Sequence, residues 1–489
     1  MNTLSDALLY IDGEVRQASG NKMFDIINPW TAEVCGKAAD ASATDVDAAI
    51  AAARRAFDET NWSRDHAGRL AVVTRFAELM HEHKSDLMMI ARLEAGAAVG
   101  AAARAHLDSA LEGMDDLLKC FHEVTFEEDR GQRDHGGAIN ERLVVNEPIG
   151  VVGAITPWNV PLYVNVGKVF AGLLAGCTMI LKPAPDTPKM GAIMGELASK
   201  AGIPAGVLNV ITASDPAEAG EMLVTDPRVD LISFTGSTAI GKRIMEKGAA
   251  TLKRVFLELG GKSVTIITED APDFMMSVMS SMVIFHAGQG CAYPTRLLVP
   301  RSRYEEACKY LEMAYQGFSD KWGLFDEPTC IMGPVISAKQ HERVMSYIEL
   351  GKAEGARLLA GGNARPDKGN GYFIEPTCFV DVTNDMRIAR EEIFGPVLVV
   401  IPFEDDDDAI RIANDSDYGL GGAVTSGDPE RAMHIARSIR AGCISVNGGM
   451  SITGDLPFGG MKQSGMGREW GREGIEEFLD AKAIARRIN

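Results

Sequence analysis

Leu257-Glu258-Leu259-Gly260-Gly261-Lys262 opens, and Gly288-Gln289-Gly290-Cys291 closes, the stretch around which this 489-residue chain is organised. Taken singly, a carboxylate beside two glycines and a cysteine after two glycines each fit an ordinary turn or core role. Together they pair a candidate nucleophile with a candidate base. Cysteine is the strongest common nucleophile because its thiolate is accessible near neutral pH, and glycines next to it remove side chains that would hinder an approaching carbonyl. A carboxylate on a glycine-rich turn is expected to be mobile. That suits a base which must reach a water molecule after a first step is complete.

The stretch lies at the junction of two blocks in which apolar runs alternate with helical segments. Before it come Gly150–Ile155, Cys177–Lys182, Val207–Ile211 and Leu231–Thr235, each followed by a helix beginning near Pro161, Pro188, Pro216 and Ser237. Four strand-helix units predict a parallel sheet covered on both faces, with ligands at the carboxyl ends of its strands. After it, strands are expected at Ser263–Ile267, Arg296–Val299, Phe373–Val380, Val397–Phe403 and Cys443–Val446. The fold class is therefore α/β, with two doubly wound domains.

Toward the amino end, Leu8 to Cys35 reads as short strands and turns, and Ser42-Ala43-Thr44-Asp45 as the cap of a helix reaching Phe57. Helical periodicity then runs from Ala67 to Leu118. His66, His81, His83 and His106 are placed on its charged, solvated faces. Residues 124–146 read as a strand pair projecting from the body, which is marginal alone and needs a second surface. The acidic run Glu404 to Asp408 suits a helix amino end rather than a metal. The tail from Gly474 to Asn489 reads as a helix and a short strand.

The formal charge of −19 repels phosphate backbones and anionic membranes, so no nucleic-acid or membrane partner is expected. The eight cysteines, at 35, 120, 177, 291, 308, 330, 378 and 443, form no metal-spaced pair and fit a reducing cytoplasm. No secretory leader is read in Met1 to Tyr10. The longest apolar stretch, Ile149 to Leu181, is broken by Pro157, Asn159, Pro161, Asn165 and Lys168, which argues against a membrane span.

Further motifs fall at strand ends. Phe234-Thr235-Gly236-Ser237-Thr238 with Gly241 joins a strand to a helix, where amides and the helix dipole suit a pyrophosphate, although a plain Ser-capped turn explains it equally. Lys182-Pro183 ends a neighbouring strand and offers an ammonium to a ribose or phosphate. In Pro157-Trp158-Asn159-Val160-Pro161, an Asn amide held between prolines is either an oxyanion donor or an Asx-type turn. Glu391-Glu392-Ile393-Phe394-Gly395-Pro396 and Pro457-Phe458-Gly459-Gly460 lie in the second block.

These motifs, in this order and spacing over nearly the whole chain, resemble the aldehyde dehydrogenase superfamily. The resemblance implies a cofactor domain (1–124 and 147–257), a catalytic domain (258–462) and an oligomerisation element (125–146 and 474–489) building a homodimer or homotetramer. It implies that Cys291 attacks an aldehyde, that Asn159 and the cysteine's own N–H hold the oxyanion, and that Glu258 activates water to release a carboxylic acid. Lys168 is then an auxiliary residue. Lys182 and Glu392 hold the riboses of the cofactor, and Ser237 its pyrophosphate. Ile155, Trp158, Pro185, Gly236, Gly241 and Phe394 complete the cofactor set. Relatives that transfer the acyl group to coenzyme A tend to lack the glutamate. NAD is the expected cofactor, with NADP as the alternative because Pro185 stands where NAD-preferring members carry Glu; Asp186 is its neighbour. The substrate walls fall at Val160, Tyr163, Val164, Gly167, Gly290, Ala292, Met450, Ser451 and Ile452, which predicts a roomy, mainly apolar channel for a medium or bulky aldehyde. The contrasting reading is a catalytically silent relative kept for binding or structure.

Overall fold

The computed structural model describes residues 4–319 and 321–489; Met1 to Thr3, the start of the segment read for a leader, lie outside that range. Two mixed sheets carry the site. The first has eight strands in the order Glu14–Arg16, Leu9–Ile11, Leu208–Val210, Thr178–Lys182, Val151–Ile155, Leu231–Thr235, Arg254–Glu258, Gly465–Met466. Its five central strands are parallel, and both edges are antiparallel. The second has seven, in the order Arg357–Ala360, Thr377–Val380, Val397–Phe403, Arg296–Pro300, Val264–Ile267, Gly421–Thr425, Cys443–Val446. Periodicity does not single out Arg357–Ala360 or Gly421–Thr425. Two glycines open the latter, and bare Cα atoms there admit Ile444 from the adjacent strand.

Local signals place the helices around these sheets. Ser42 and Asp45 form the reciprocal capping box of the helix Ala43–Glu59. The helix Pro161–Ala175 begins with a proline in its first turn and stops at Gly176, whose φ of 102° is the left-handed conformation glycine tolerates. Nearly every residue of that helix is buried, because it lies between the first sheet and the helices before it. Asp405 caps Asp406–Asn414, so the acidic run is a helix start. The strand pair Glu127–His135 and Ala138–Pro148 joins Leu479–Arg487 in a separate antiparallel sheet, the last strand being longer than the short one expected.

Two expectations need correction. His106 is fully buried, its ring edge-on to His286 at 4.5 Å. It lies in a π-helical turn, Ala102–Asp108, whose wider winding rotates the faces away from a 3.6-residue reading. His66 is half-buried against Phe126, whereas His81 and His83 are paired with Asp115 and Asp86 near the surface. Glu258, moreover, is no turn residue. It ends the strand Arg254–Glu258, paired with Thr235 on one side and Gly465 on the other.

The pairing with Gly465 brings residues far along the chain onto the base. Gly465 has φ 120°, and its Cα lies against the Leu257 carbonyl, leaving no room for a side chain. Gly465→Ala is expected to cost about 2 kcal/mol or more through strain and clash, and to displace Glu258. Urea unfolding beside an activity assay checks both effects; wild-type values in each would refute them.

Candidate active site

The thiol and the carboxylate predicted 33 positions apart come together. Glu258 is 1 % exposed and Cys291 is half-buried, and the two side chains face each other closely enough to perturb each other's titration. Burial, then the charges of Glu258 and Glu392, push the Cys291 thiol well above its ordinary range. Burial and Glu469 push Glu258 well above the usual carboxylate range, against the opposing pull of Lys168. The thiol is therefore protonated at rest. Glu258 Oε1 has no hydrogen-bond partner and is free to accept one.

The glycines serve packing more than substrate clearance. Gly261 lets the Cys291 carbonyl approach, Gly288 lies on the Gly395 carbonyl, and a side chain at Gly290 would strike the Tyr293 ring. The cysteine loop is latched at three points. Asn159 Nδ2 donates to the Gln289 carbonyl at 3.0 Å, Gln289 Nε2 donates to the His286 carbonyl at 3.2 Å, and Ile336 N–H donates to Gln289 Oε1 at 2.9 Å. Asn159 is thus held on the loop that carries Cys291. Lys168 lies behind the site, donating to Glu469 Oε1 at 2.6 Å and to Ser233 Oγ at 2.9 Å, with Lys168 and Glu469 both essentially inaccessible. Glu469 was not singled out from sequence. Its one signal is a charge set between Gly467 and the buried Trp470.

A cavity of about 450 Å³ opens at the carboxyl ends of the first sheet, lined by Ile155, Trp158, Lys182, Pro185, Gly236 and Ser237 among others. Six of the nine expected cofactor residues therefore share one space. Burial lowers Lys182 to about 8, and Ser237 caps the helix Thr238–Gly248, accepting from the Ile240 N–H. An ammonium, a helix amino end and the apolar Val224, Phe234 and Ile240 fit a group with an anionic middle and a flat aromatic end. Asp186 also lines it, with Arg243, Lys247 and Lys339 nearby. Gly241 instead packs on Leu259, next to Glu258. Glu392 accepts from the Gly261 N–H at 2.9 Å, and Phe394 meets Trp158 edge-on at 5.3 Å, so both stand between the cavity and Cys291.

A larger cavity, about 560 Å³, lies beyond Tyr293 along Ser277–Phe285 and holds none of the expected residues; chemistry rather than volume identifies the site. Of the expected substrate walls, Val164 and Gly167 are buried and Tyr163 partly so, but Met450 is 77 % exposed and sits with Ser451 in a surface hollow beside Met433 and Ile444. Among the described residues, no cluster of three or more His, Cys, Asp or Glu is placed to hold a metal ion.

A thiol can bond covalently to an electrophilic carbon, and this one stands near a cavity that fits a large anionic group. Fold and site together fit an α/β oxidoreductase. The chain belongs to the aldehyde dehydrogenase family, whose model matches residues 15–484. It is 40% identical over 487 residues to the 3-succinoylsemialdehyde-pyridine dehydrogenase of a Pseudomonas species, covering 97% of each chain. The aldehyde dehydrogenase of Mycobacterium tuberculosis, solved with NAD+, superposes with a TM-score of 0.93 at 39% identity, covering 99% of this chain and 98% of that one. A mutant of aldehyde dehydrogenase C from Pseudomonas syringae, solved with NAD+ and octanal, gives 0.91 at 38% identity, covering 98% and 96%.

The shifted thiol has a direct consequence. Alkylation of Cys291 by iodoacetamide in the cofactor-free protein is expected to keep accelerating with pH beyond about 8.5, the ordinary thiol value. Glu258→Gln removes a nearby negative charge, so its inflection should fall at lower pH. An unshifted inflection in the variant would contradict the mutual influence of the two groups.

Proposed function

We propose that this protein oxidises an aldehyde to the carboxylic acid with NAD, through a covalent intermediate on Cys291. The observation that carries the reading is the burial of Glu258 face to face with Cys291. The thiol gives up its proton as it adds to the carbonyl carbon, and Glu258, with an unpaired oxygen and a raised pKa, is suited to take it. The resulting alkoxide is held by Asn159 Nδ2, released from the Gln289 carbonyl, and by the Cys291 N–H. A neutral aldehyde does not expel hydride readily, whereas a tetrahedral alkoxide on sulfur does, so covalent capture comes first. Bound NAD would supply the hydride acceptor, held by Lys182, Ser237 and Glu392. Glu258, its proton released to solvent, then activates water against the thioester, while Lys168 and Glu469 fix the charge behind it.

The presence of Glu258 favours water over coenzyme A as acyl acceptor. The intact trio of Cys291, Glu258 and Asn159 argues against a silent relative. Asp186, on the cavity wall beside Pro185, supports NAD over NADP. The medium or bulky apolar substrate class rests on the small and aliphatic Val160, Val164, Gly167 and Ala292. In this reading residues 1–124 and 147–257 form the cofactor domain, 258–462 the catalytic domain, and 125–146 with 474–489 the oligomerisation element. The free thiols suit a reducing cytoplasm, and among the described residues no helix is long and apolar enough to cross a membrane.

Absorbance in the reduced-nicotinamide band is expected to rise with NAD and an aliphatic or aromatic aldehyde, more efficiently than with NADP and without stimulation by coenzyme A. Cys291→Ala should abolish it. Glu258→Gln should lower steady-state turnover about a hundredfold or more by stalling deacylation, leaving an acyl group on Cys291 visible by mass spectrometry. Full turnover in either variant would sink the mechanism.

The projecting sheet supports a homo-oligomer. Ala138–Pro148 is half-buried along its whole length, and Ile484 of the adjoining strand is 42 % exposed, so the sheet has apolar surface to cover. Sedimentation equilibrium should give the mass of a dimer or tetramer; a monomer would exclude this role.

A further inference from the structure

A long substrate finds little room along the helix Pro161–Ala175. The fully buried Trp470 indole stacks on the Tyr163 ring, centroids 4.5 Å apart, and a methyl on Gly167 would stand 3.1 Å from it. Space exists on another side of the cysteine loop. The Tyr293 ring lies against Gly290, meets Phe285 edge-on at 6.1 Å, and forms part of the wall of the 560 Å³ cavity. Burial, then the Cys291 thiol, raise the Tyr293 hydroxyl above its ordinary value. Tyr293 therefore stands within electrostatic reach of the nucleophile while lining that cavity.

The cavity floor is a sheet face built differently from the rest. Val400, Leu297, Thr265, Ala423 and Ser445 are successive neighbours in one row across the second sheet. The first two are fully buried in a core shared with the helices Phe274–Met279 and Tyr304–Phe318. The last three are half-buried and line the cavity together with Thr425. Packing against a helix calls for apolar residues, so a change to small and hydroxylated ones within a single row marks a surface made for something else. The segment Ser277–Phe285 walls the space, whose volume is that of a small-molecule site.

The lining sets the chemistry of the occupant. Among the described residues, none that lines the cavity is charged, so a carboxylate or ammonium carried into it would meet no counter-charge. Ser280 Oγ and Ser281 Oγ each donate to the Ser277 carbonyl at 3.0 Å, and Ser277 Oγ donates to the Pro272 carbonyl at 3.4 Å. With their protons engaged, these oxygens keep lone pairs for a group that brings its own proton. Met282, Ile284 and Phe285 offer apolar surface beside them.

Resting on the aldehyde-oxidising reading above, we propose that the substrate tail passes Tyr293 into this cavity, and that the preferred aldehyde is uncharged, apolar next to its carbonyl and hydroxyl-bearing at its far end. Tyr293 and the cavity residues are specificity determinants and take no part in the covalent steps.

The test compares kcat/KM for ω-hydroxyalkanals of increasing length with alkanals of equal heavy-atom count, and for para-(hydroxymethyl)benzaldehyde with para-ethylbenzaldehyde. At the matching length the hydroxyl member is expected to win by about tenfold, since a site built to hydrogen-bond a hydroxyl penalises the analogue lacking it. Ser281→Phe and Ala423→Leu, which fill the cavity, should each lower the ratio of decanal to propanal efficiency by about tenfold. A merely structural role would lower both aldehydes together and leave that ratio where it was. A ratio unmoved in both variants would overturn the placement of the tail. Equal or better turnover of the alkyl member at every length, measured in the unaltered protein, would overturn its chemistry. Turnover of no aldehyde at all would instead overturn the aldehyde-oxidising reading, and this inference with it.

Discussion

One electrostatic constraint governs the centre of this molecule: Glu258, Glu469 and the Cys291 thiol share a buried space with the ammonium of Lys168. Burying an unpaired charge is costly, so the space cannot hold three negative charges at once. The Lys168–Glu469 pair, reinforced by Ser233, accounts for the one charge that is balanced. The Cys291 thiol is kept protonated by burial and by the charge of Glu258, and the Glu258 carboxyl is raised by burial and by Glu469. A carboxylate raised in this way is a base matched to a thiol, able to take its proton at small cost when an electrophile arrives to accept the charge.

The two sheets exist, in functional terms, to enforce that proximity. The strand Arg254–Glu258 ends the parallel part of the first sheet and delivers the base. Glycine-rich turns on either side of Cys291 allow backbone to touch backbone, so that the cysteine loop is clamped among Gly261, Gly395 and Asn159. The far end of the chain then closes the site. Gly465 pairs with Glu258, Ser464 Oγ donates to the Gly260 carbonyl at 2.7 Å, and Glu469 and Trp470 follow within a few residues. Side chains from five separated segments are fixed by these backbone contacts rather than by the rigidity of any one element.

The cysteine loop also carries stored strain. His286 and Ala287 both adopt positive φ ahead of Gly288, and the His286 ring is buried against His106 with neither imidazole hydrogen-bonded. Burial lowers His286 to about 4 and His106 well below its ordinary value, so both rings are neutral at physiological pH. Such a segment holds its shape only because its surroundings over-determine it.

Sequence by itself determined the α/β class and the order of the strand-helix units, and it singled out Cys291, Glu258, Asn159 and six residues that the fold gathers in one cavity. Those features are local: apolar runs with period and length, caps, and motifs whose glycines and prolines constrain their own backbone. Only the tertiary structure decided that His106 is buried, that Glu258 ends a strand, that Met450 faces outward, and that Glu469 stands with Lys168 behind the site. Each of those depends on a partner distant in sequence, a π turn that rotates a face, or a glycine elsewhere that makes room. A one-dimensional pattern carries no record of which empty space a side chain will fill.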